Sequence, residues 1–186
     1  MSVQIAKYLF TVAEYNRMGE TGILTEDDRV ELIEGEIVEM SPIGRRHAAC
    51  VDRLTELLSE QLQRKVIVRV RSPIVLNDYT EPQPDVALLR RREDFYERAL
   101  PAPDDVLLIV EVADTTLDYD RQIKVPLYAR AGIREVWVVN LMDERVEVYT
   151  RPADGAYQNA SQYGRGEAIN SPGALNLTLT VDEILG

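Results

Sequence analysis

A run of seven residues from Val106 to Val112, VLLIVEV, apolar except at Glu111, constrains this chain more than any other feature. Its length and β-branching fit a buried central strand. A helical stretch follows from Tyr119 to Ala131 and stops at Gly132; Glu135 to Val139, EVWVV, then reads as a second buried strand. Strand, helix and strand in this order form a crossover, which sets the two strands parallel. A carboxylate in the first of these strands has to be paired, hydrogen-bonded or metal-bound, because bare burial is costly.

The remaining segments read as elements around that crossover. Thr11 with Glu14 three residues later is a capping box, opening a short helix that Gly19 or Gly22 ends. VELIEGEIVEM, residues 30–40, predicts a tight hairpin turning at Glu34-Gly35, with Glu31 and Ile33 on one face. From His47 to about Gln63 the pattern is helical, and His47, Val51, Leu54, Leu58 and Leu62 form its apolar face. Lys65 to Leu76 predicts a strand pair or one long strand bent at Pro73, with Arg69 and Arg71 on the same face. Val86 to Leu89 is a short strand, and Arg90 to Asp105 a loop with one helical turn at EDFYERAL. Arg145 to Thr150 reads as an edge strand, Arg151 to Pro172 as hairpin loops, and Leu175 to Leu179 as a last strand before a short terminal helix, VDEIL.

At 186 residues the chain suits one well-buried domain. It has no apolar run near the ~20 residues that span a bilayer, and its first residues lack the pattern of a signal peptide. A single cysteine, Cys50, cannot form an internal disulfide, so a cytoplasmic setting is expected. The net charge of −11 argues against a nucleic-acid binder, since phosphate neutralisation supplies much of such affinity. Basic residues do cluster locally, at Arg45-Arg46, Arg64-Lys65, Arg69, Arg71 and Arg90-Arg91-Arg92; scattered surface charge is the plainer reading of these.

Several chemistries are excluded. One histidine and one cysteine rule out a His/Cys zinc site. His47 and Cys50 share a helix and Cys50 falls among apolar positions, which argues against a Cys–His nucleophile. No G-x-S-x-G elbow and no phosphate-binding glycine loop is present. What remains is carboxylate chemistry. Asp85 opens one apolar strand and Glu111 lies in another, and two such acids can hold a hard cation such as Mg²⁺. The rival reading pairs Glu111 with a buried lysine or arginine. Asp120, Lys124 and Tyr128 are four apart and share a helix face. Asp120–Lys124 as a surface ion pair of roughly 0.3–0.5 kcal/mol is the simpler reading. The functional alternative aims Lys124 at a metal-bound water or the scissile phosphate. His47 is either a packed, hydrogen-bonded residue or an acid/base or substrate contact.

VELIEGEIVEMSPIGRRH, EPQPDVALLR, LLIVEVADTTLDYDRQIKVPLYARAGIREVWVV and ERVEVY together resemble the Uma-type restriction endonuclease family of the PD-(D/E)XK nuclease superfamily, from about Phe10 to Leu179. The resemblance implies an α/β fold: a restriction-endonuclease-like mixed central sheet flanked by helices, with added β-hairpins. It implies a Mg²⁺-dependent endonuclease, with Mn²⁺ able to substitute, acting on nucleic acid and on DNA first. Asp85 and Glu111 match its metal-binding acids. The superfamily's lysine would stand at Ala113; Lys124 matches the position to which this family moves it. Glu31 and His47 match further polar positions, completing a catalytic set of Asp85, Glu111, Lys124, Glu31 and His47. A homodimer pairing strands such as Arg145–Thr150 across a two-fold axis follows by analogy. The lysine missing at Ala113 and the acidic balance keep two alternatives open: a catalytically weak or inactive nuclease-fold binding protein, and a metal hydrolase of some other phosphate.

Overall fold

The structure is a computed structural model that describes residues 6–25, 27–171 and 176–186. In chain order the elements are α1 (Val12–Glu20), the hairpin β1 (Val30–Ile33) and β2 (Glu36–Glu39), α2 (Arg45–Leu62), β3 (Val66–Val70), β4 (Val86–Arg90) and β5 (Val106–Ala113). Then come α3 (Leu117–Tyr119), a π-helical turn (Asp120–Lys124), α4 (Val125–Arg130), β6 (Glu135–Asn140), β7 (Arg145–Ala153), β8 (Ala156–Gly164), β9 (Ala168–Asn170), β10 (Thr178–Thr180) and α5 (Val181–Leu185). Strands β3 to β8 form a six-stranded sheet in sequence order. Every pairing in it is antiparallel except β5 with β6, the crossover that the sequence predicts. The chain is thus a mixed α/β sheet flanked by helices, with two further hairpin sheets.

The two-residue period of the strands sorts their side chains into two cores. Val86 and Leu88 of β4, Leu108, Val110 and Val112 of β5, and Trp137 of β6 pack on one side against Cys50, Val51, Leu54 and Leu58 of α2 and Val181 and Ile184 of α5. Each fully buried leucine of that helix face stabilises the fold by about 1.5–3 kcal/mol. The apolar stripe predicted for α2 is therefore the face it buries. On the other side, Ala87, Ile109, Ala113, Val136 and Val138 pack against Val125, Leu127 and Tyr128 of α4. Glu111 lies between Ile109 and Ala113 and so faces the α3–α4 side.

The helix after β5 is not uniform. Between Asp120 and Lys124 it widens to a π turn, in which the Val125 N–H donates to the Asp120 carbonyl. Pro126 supplies the reason: it has no N–H to donate and its ring crowds the carbonyl one turn back, and a wider turn relieves both.

Several expectations need correction. The segment after β3 does not make a second strand, because Arg71 adopts a left-handed φ of +45° and ends the pairing. Arg69 and Arg71 consequently do not share a face: Arg69 reaches the Phe95 carbonyl, Arg71 reaches His47. EDFYERAL forms turns with Phe95 and Tyr96 at positive φ, and the short helical turn lies later, a 3₁₀ turn at Pro103–Asp105. β7 is not an edge strand: β6 flanks it on one side and β8 on the other. Most of the stretch read as hairpin loops is strand, the end of β7, all of β8 and β9, and β8 is an edge of the six-stranded sheet. Its sequence, AYQNASQYG, hid it because most of its residues are exposed and only its tyrosines meet the core. The dimer contact expected through β7 has no free strand edge to use. The predicted start of the last strand at Leu175 lies outside the described residues.

The hairpin of β1 and β2 turns at Glu34 and Gly35, both at positive φ, as a two-residue primed turn requires. Gly35 donates to the Tyr79 carbonyl and accepts from Phe10 N–H, tying the hairpin to two other segments. A Cβ there would come within 2.6 Å of Leu9 Cβ, on a backbone with φ +82°. Gly35→Ala is therefore expected to destabilise the protein by about 1–3 kcal/mol. Urea denaturation of the two proteins measures this directly.

Candidate active site

The register of the sheet builds the site. Val86 pairs with Val110, which sets Asp85, the residue before β4, opposite Glu111. The two carboxylates then lie near the end of β5 at which the chain crosses to α3. The hairpin lays β1 against the segment before β4: Leu32 bridges Glu81, and the Gln83 N–H donates to Glu31 at 3.1 Å. Glu31 is thereby carried into the same place. Glu31, His47, Asp85, Glu111 and Lys124, the five residues singled out in the sequence, all line one cavity of about 440 Å³.

Lys124 enters from the π turn. Its ammonium lies 3.3 Å from Glu111 Oε1 and 3.3 Å from Glu31 Oε2. Ala113, where the superfamily lysine would stand, is buried on the same face of β5 as Glu111, under the α3–α4 side. An ammonium from that covering helix reaches Glu111 as one from the strand would. Tyr128, one turn further on, donates to Glu111 Oε1 at 2.5 Å, and Tyr119 donates to Glu31 at 3.5 Å.

Each central carboxylate has one oxygen tied and one loosely held. Asp85 Oδ2 accepts from the Val112 N–H at 2.9 Å and from His47 Nε2 at 2.9 Å, while Oδ1 has only Arg71 Nε at 3.7 Å. Glu111 Oε1 takes Tyr128 and Lys124, while Oε2 has a long contact of 3.4 Å from the Asp85 N–H. Arg71 Nη2 lies 3.2 Å from His47 Nδ1. A guanidinium is only a donor, so Nδ1 must accept and the ring proton resides on Nε2, facing Asp85. Both ring nitrogens are thus occupied, and His47 holds Asp85 in place. The Arg71 Nε itself is buried without a hydrogen-bond partner among the described residues, an arrangement that costs about 1–3 kcal/mol.

Asp120 is the site member whose role the sequence obscured. The ion pair predicted on the surface is absent; Asp120 is 4% exposed, accepts from Thr116 Oγ1 at 2.8 Å and lines the cavity. Its spacing from Lys124 and Tyr128 was the available signal. Exposure, which decides between surface pair and buried pocket, is not written in the spacing. Arg71, likewise, was visible only as one basic residue among several. Cys50 is buried and its thiol is pushed up to about 12 by burial, which leaves it inert.

Seven carboxylates line the cavity, and four of them, those of Glu31, Asp85, Glu111 and Asp120, act on Lys124. Burial raises the Glu111 carboxyl to about 8; Asp120 and Asp85 add to the shift, while Lys124 and Tyr128 oppose it. Asp120 is raised too, again chiefly by burial. Burial would lower the Lys124 ammonium, but Glu111, Glu31, Asp120 and Asp85 together outweigh it and keep the lysine charged.

A mixed sheet of this order, flanked by helices, is a restriction-endonuclease-like fold, and the acids of β5 and of the entry to β4 lie in it beside a lysine. The Uma2 family model, described as "Putative restriction endonuclease", matches residues 12–182, and the chain belongs to that family. It is also similar to a solved structure described as a "putative nuclease belonging to DUF820 from Anabaena variabilis ATCC 29413". The TM-score is 0.70 at 17% identity, over 95% of this chain and 97% of that one, a likeness of fold. No curated protein matches the chain.

The Glu111 shift has a measurable consequence. In the unfolded chain Glu111 loses its proton near 4.5, whereas in the folded protein it keeps the proton to about 8. Across that window the folded state binds more protons, so stability falls as pH rises. Glu111→Gln has no such proton. In chelator-treated protein its stability relative to the wild type is expected to increase from pH 5 to pH 8.5, by on the order of a few kcal/mol. Urea denaturation at the two pH values measures it; a constant difference would refute the shift.

Proposed function

We propose that the protein is a metal-dependent endonuclease that hydrolyses phosphodiester bonds, with DNA as substrate and Mg²⁺, or Mn²⁺ in its place, held by Asp85 and Glu111. The observation that carries this reading is the approach of Lys124 to Glu111, at 3.3 Å, beside Asp85. The acid, acid and ammonium of the superfamily thus come together although Ala113 breaks the sequence pattern. The family's description and the nuclease named in the structural neighbour support the same reaction class.

The residues fit a hard cation. Among the described residues no three His, Cys, Asp or Glu side chains form a ready-made cage. Mg²⁺ does not need one, since it commonly takes one or two carboxylates and completes its shell with water and substrate phosphate. Asp85 Oδ1 and Glu111 Oε2 are the loosely held oxygens, and their partner oxygens are anchored by Val112 N–H, His47 and Tyr128. Such anchoring orients metal ligands. Bound there, the cation would polarise a phosphoryl oxygen and lower the pKa of a coordinated water.

The chain's own groups do the rest. The Lys124 ammonium stabilises charge developing on the phosphorane oxygens. Glu31 shares that ammonium and fixes its position; His47 orients Asp85 and, with both nitrogens committed, does not serve as the base. The acidic cavity favours the cation first and the phosphate second, which reconciles a chain of net charge −11 with a polyanionic substrate.

Nicking of supercoiled plasmid, and cleavage of an RNA of matched length, test the reading. With Mg²⁺ or Mn²⁺ the wild type is expected to nick the plasmid, and chelator to stop it. Asp85→Asn, Glu111→Gln and Lys124→Met are each expected to lower the rate by about 10²–10³-fold with the fold retained. Absence of cleavage by the wild type with either metal and either substrate would refute it.

A further inference from the structure

Arg71 ends β3 in a backbone conformation that favours glycine, with φ +45°. Two residues earlier, Arg69 runs outward, donating to the Phe95 carbonyl at 3.2 Å and lying 5.7 Å from the centre of the Tyr96 ring. The left-handed turn sends Arg71 the other way, to His47 and Asp85. Strain of this kind at a non-glycine residue persists where the surrounding contacts hold it, and at Arg71 those contacts are His47 and Asp85.

The guanidinium is incompletely used. Nη2 donates to His47, Nε–H has no hydrogen-bond partner, and no further hydrogen bond from the fork is made to any described residue. The side chain is 30% exposed. Lys124, by contrast, is enclosed between Glu31 and Glu111. Arg71 is therefore the cation beside the carboxylates that keeps donors to offer.

Its place gives those donors a direction. Arg71 lines a second cleft, of about 800 Å³, together with Arg29 and Asn16 and with the carboxylates of Asp28 and Glu81. Met40 and Gln83 line both this cleft and the cavity that holds Glu111 and Lys124, so the two adjoin. A chain leaving the carboxylates on that side enters the cleft that Arg71 and Arg29 line. Planar, forked donors suit the paired oxygens of a phosphodiester better than an ammonium does.

We propose that Arg71 is the substrate-phosphate clamp of this site, its fork binding a phosphodiester next to the scissile one on a nucleic-acid strand that runs from the carboxylate cavity into the second cleft. The proposal rests on the nucleic-acid substrate of the reading above. It assigns the second cleft to the flanking nucleotide, and gives Arg71 a role besides holding the His47 tautomer.

The test is binding of a short fluorescein-labelled DNA, single-stranded and duplex, followed by fluorescence anisotropy over a salt series, with Ca²⁺ replacing Mg²⁺ to prevent cleavage. Arg71→Gly suits the left-handed backbone, so its melting temperature is expected to stay close to that of the wild type. Its affinity is expected to fall about tenfold, and the slope of log Kobs against log salt to shrink by about one phosphate contact. Arg71→Lys, which keeps the charge and loses the fork, is expected to keep the slope and bind more weakly. Mn²⁺ binding should persist in Arg71→Lys, which keeps a cation beside His47 and Asp85. A purely structural role would instead lower the melting temperature and Mn²⁺ binding and leave the slope unchanged. Wild-type affinity and slope in Arg71→Gly overturn the clamp and leave the nuclease reading intact. If Arg71→Gly fails to fold, wild-type affinity in Arg71→Lys overturns it. No binding of either DNA form by the wild type, at any salt, overturns both.

Discussion

The burial of the Glu111 carboxylate in the middle of an apolar sheet is the constraint on which the rest of this structure depends. At 2% exposure, a lone ionised carboxylate there would be untenable. The surrounding structure supplies what it requires. Tyr128 donates to it, Lys124 stands beside it, and the Asp85 N–H lies within a long contact. Those three partners come from α4, from the π turn and from the entry to β4, so the carboxylate links three separate elements. One ammonium does not neutralise four acids. The imbalance, added to burial, leaves Glu111 harder to ionise.

The helix that follows β5 is shaped by that task. A regular helix over Leu117–Arg130 would be interrupted at Pro126, and the π turn absorbs the interruption just where Asp120 and Lys124 point into the cavity. Arg121, in the same turn, is held outward by the buried Glu147 of β7. The turn is thus fixed on both sides, to the cavity by Lys124 and to the sheet by Arg121. A lysine carried on this helix, with Ala113 left small beneath it, reaches the acid that a strand lysine would otherwise serve.

Around the acids, a second set of contacts settles orientation. His47 lies at the start of the buried face of α2, as its spacing implies, and its role follows from two neighbours that spacing does not reveal. Arg71 accepts nothing, so it dictates the histidine tautomer, and the tautomer dictates that Asp85 receives a hydrogen bond. The strained backbone of Arg71 and its Nε, without a hydrogen-bond partner among the described residues, are the costs of that arrangement.

The sequence by itself determined the crossover from β5 to β6, the hairpin at Glu34-Gly35, the capped α1, the buried face of α2 and the identities of five cavity residues. The elements were legible because hydrophobic period, glycine and capping chemistry are local properties; Glu31 and His47 joined the cavity set only through the family resemblance. Tertiary structure alone decided the rest. β8 went unseen because an edge strand needs few apolar residues. Arg71 went astray because one left-handed residue reverses the alternation that predicts a face. Asp120 reads as a surface group in the sequence because its spacing along the helix carries no record of its burial. Whether Lys124 could reach Glu111 depended on the packing distance between a helix and a strand, and only the folded sheet supplies that distance.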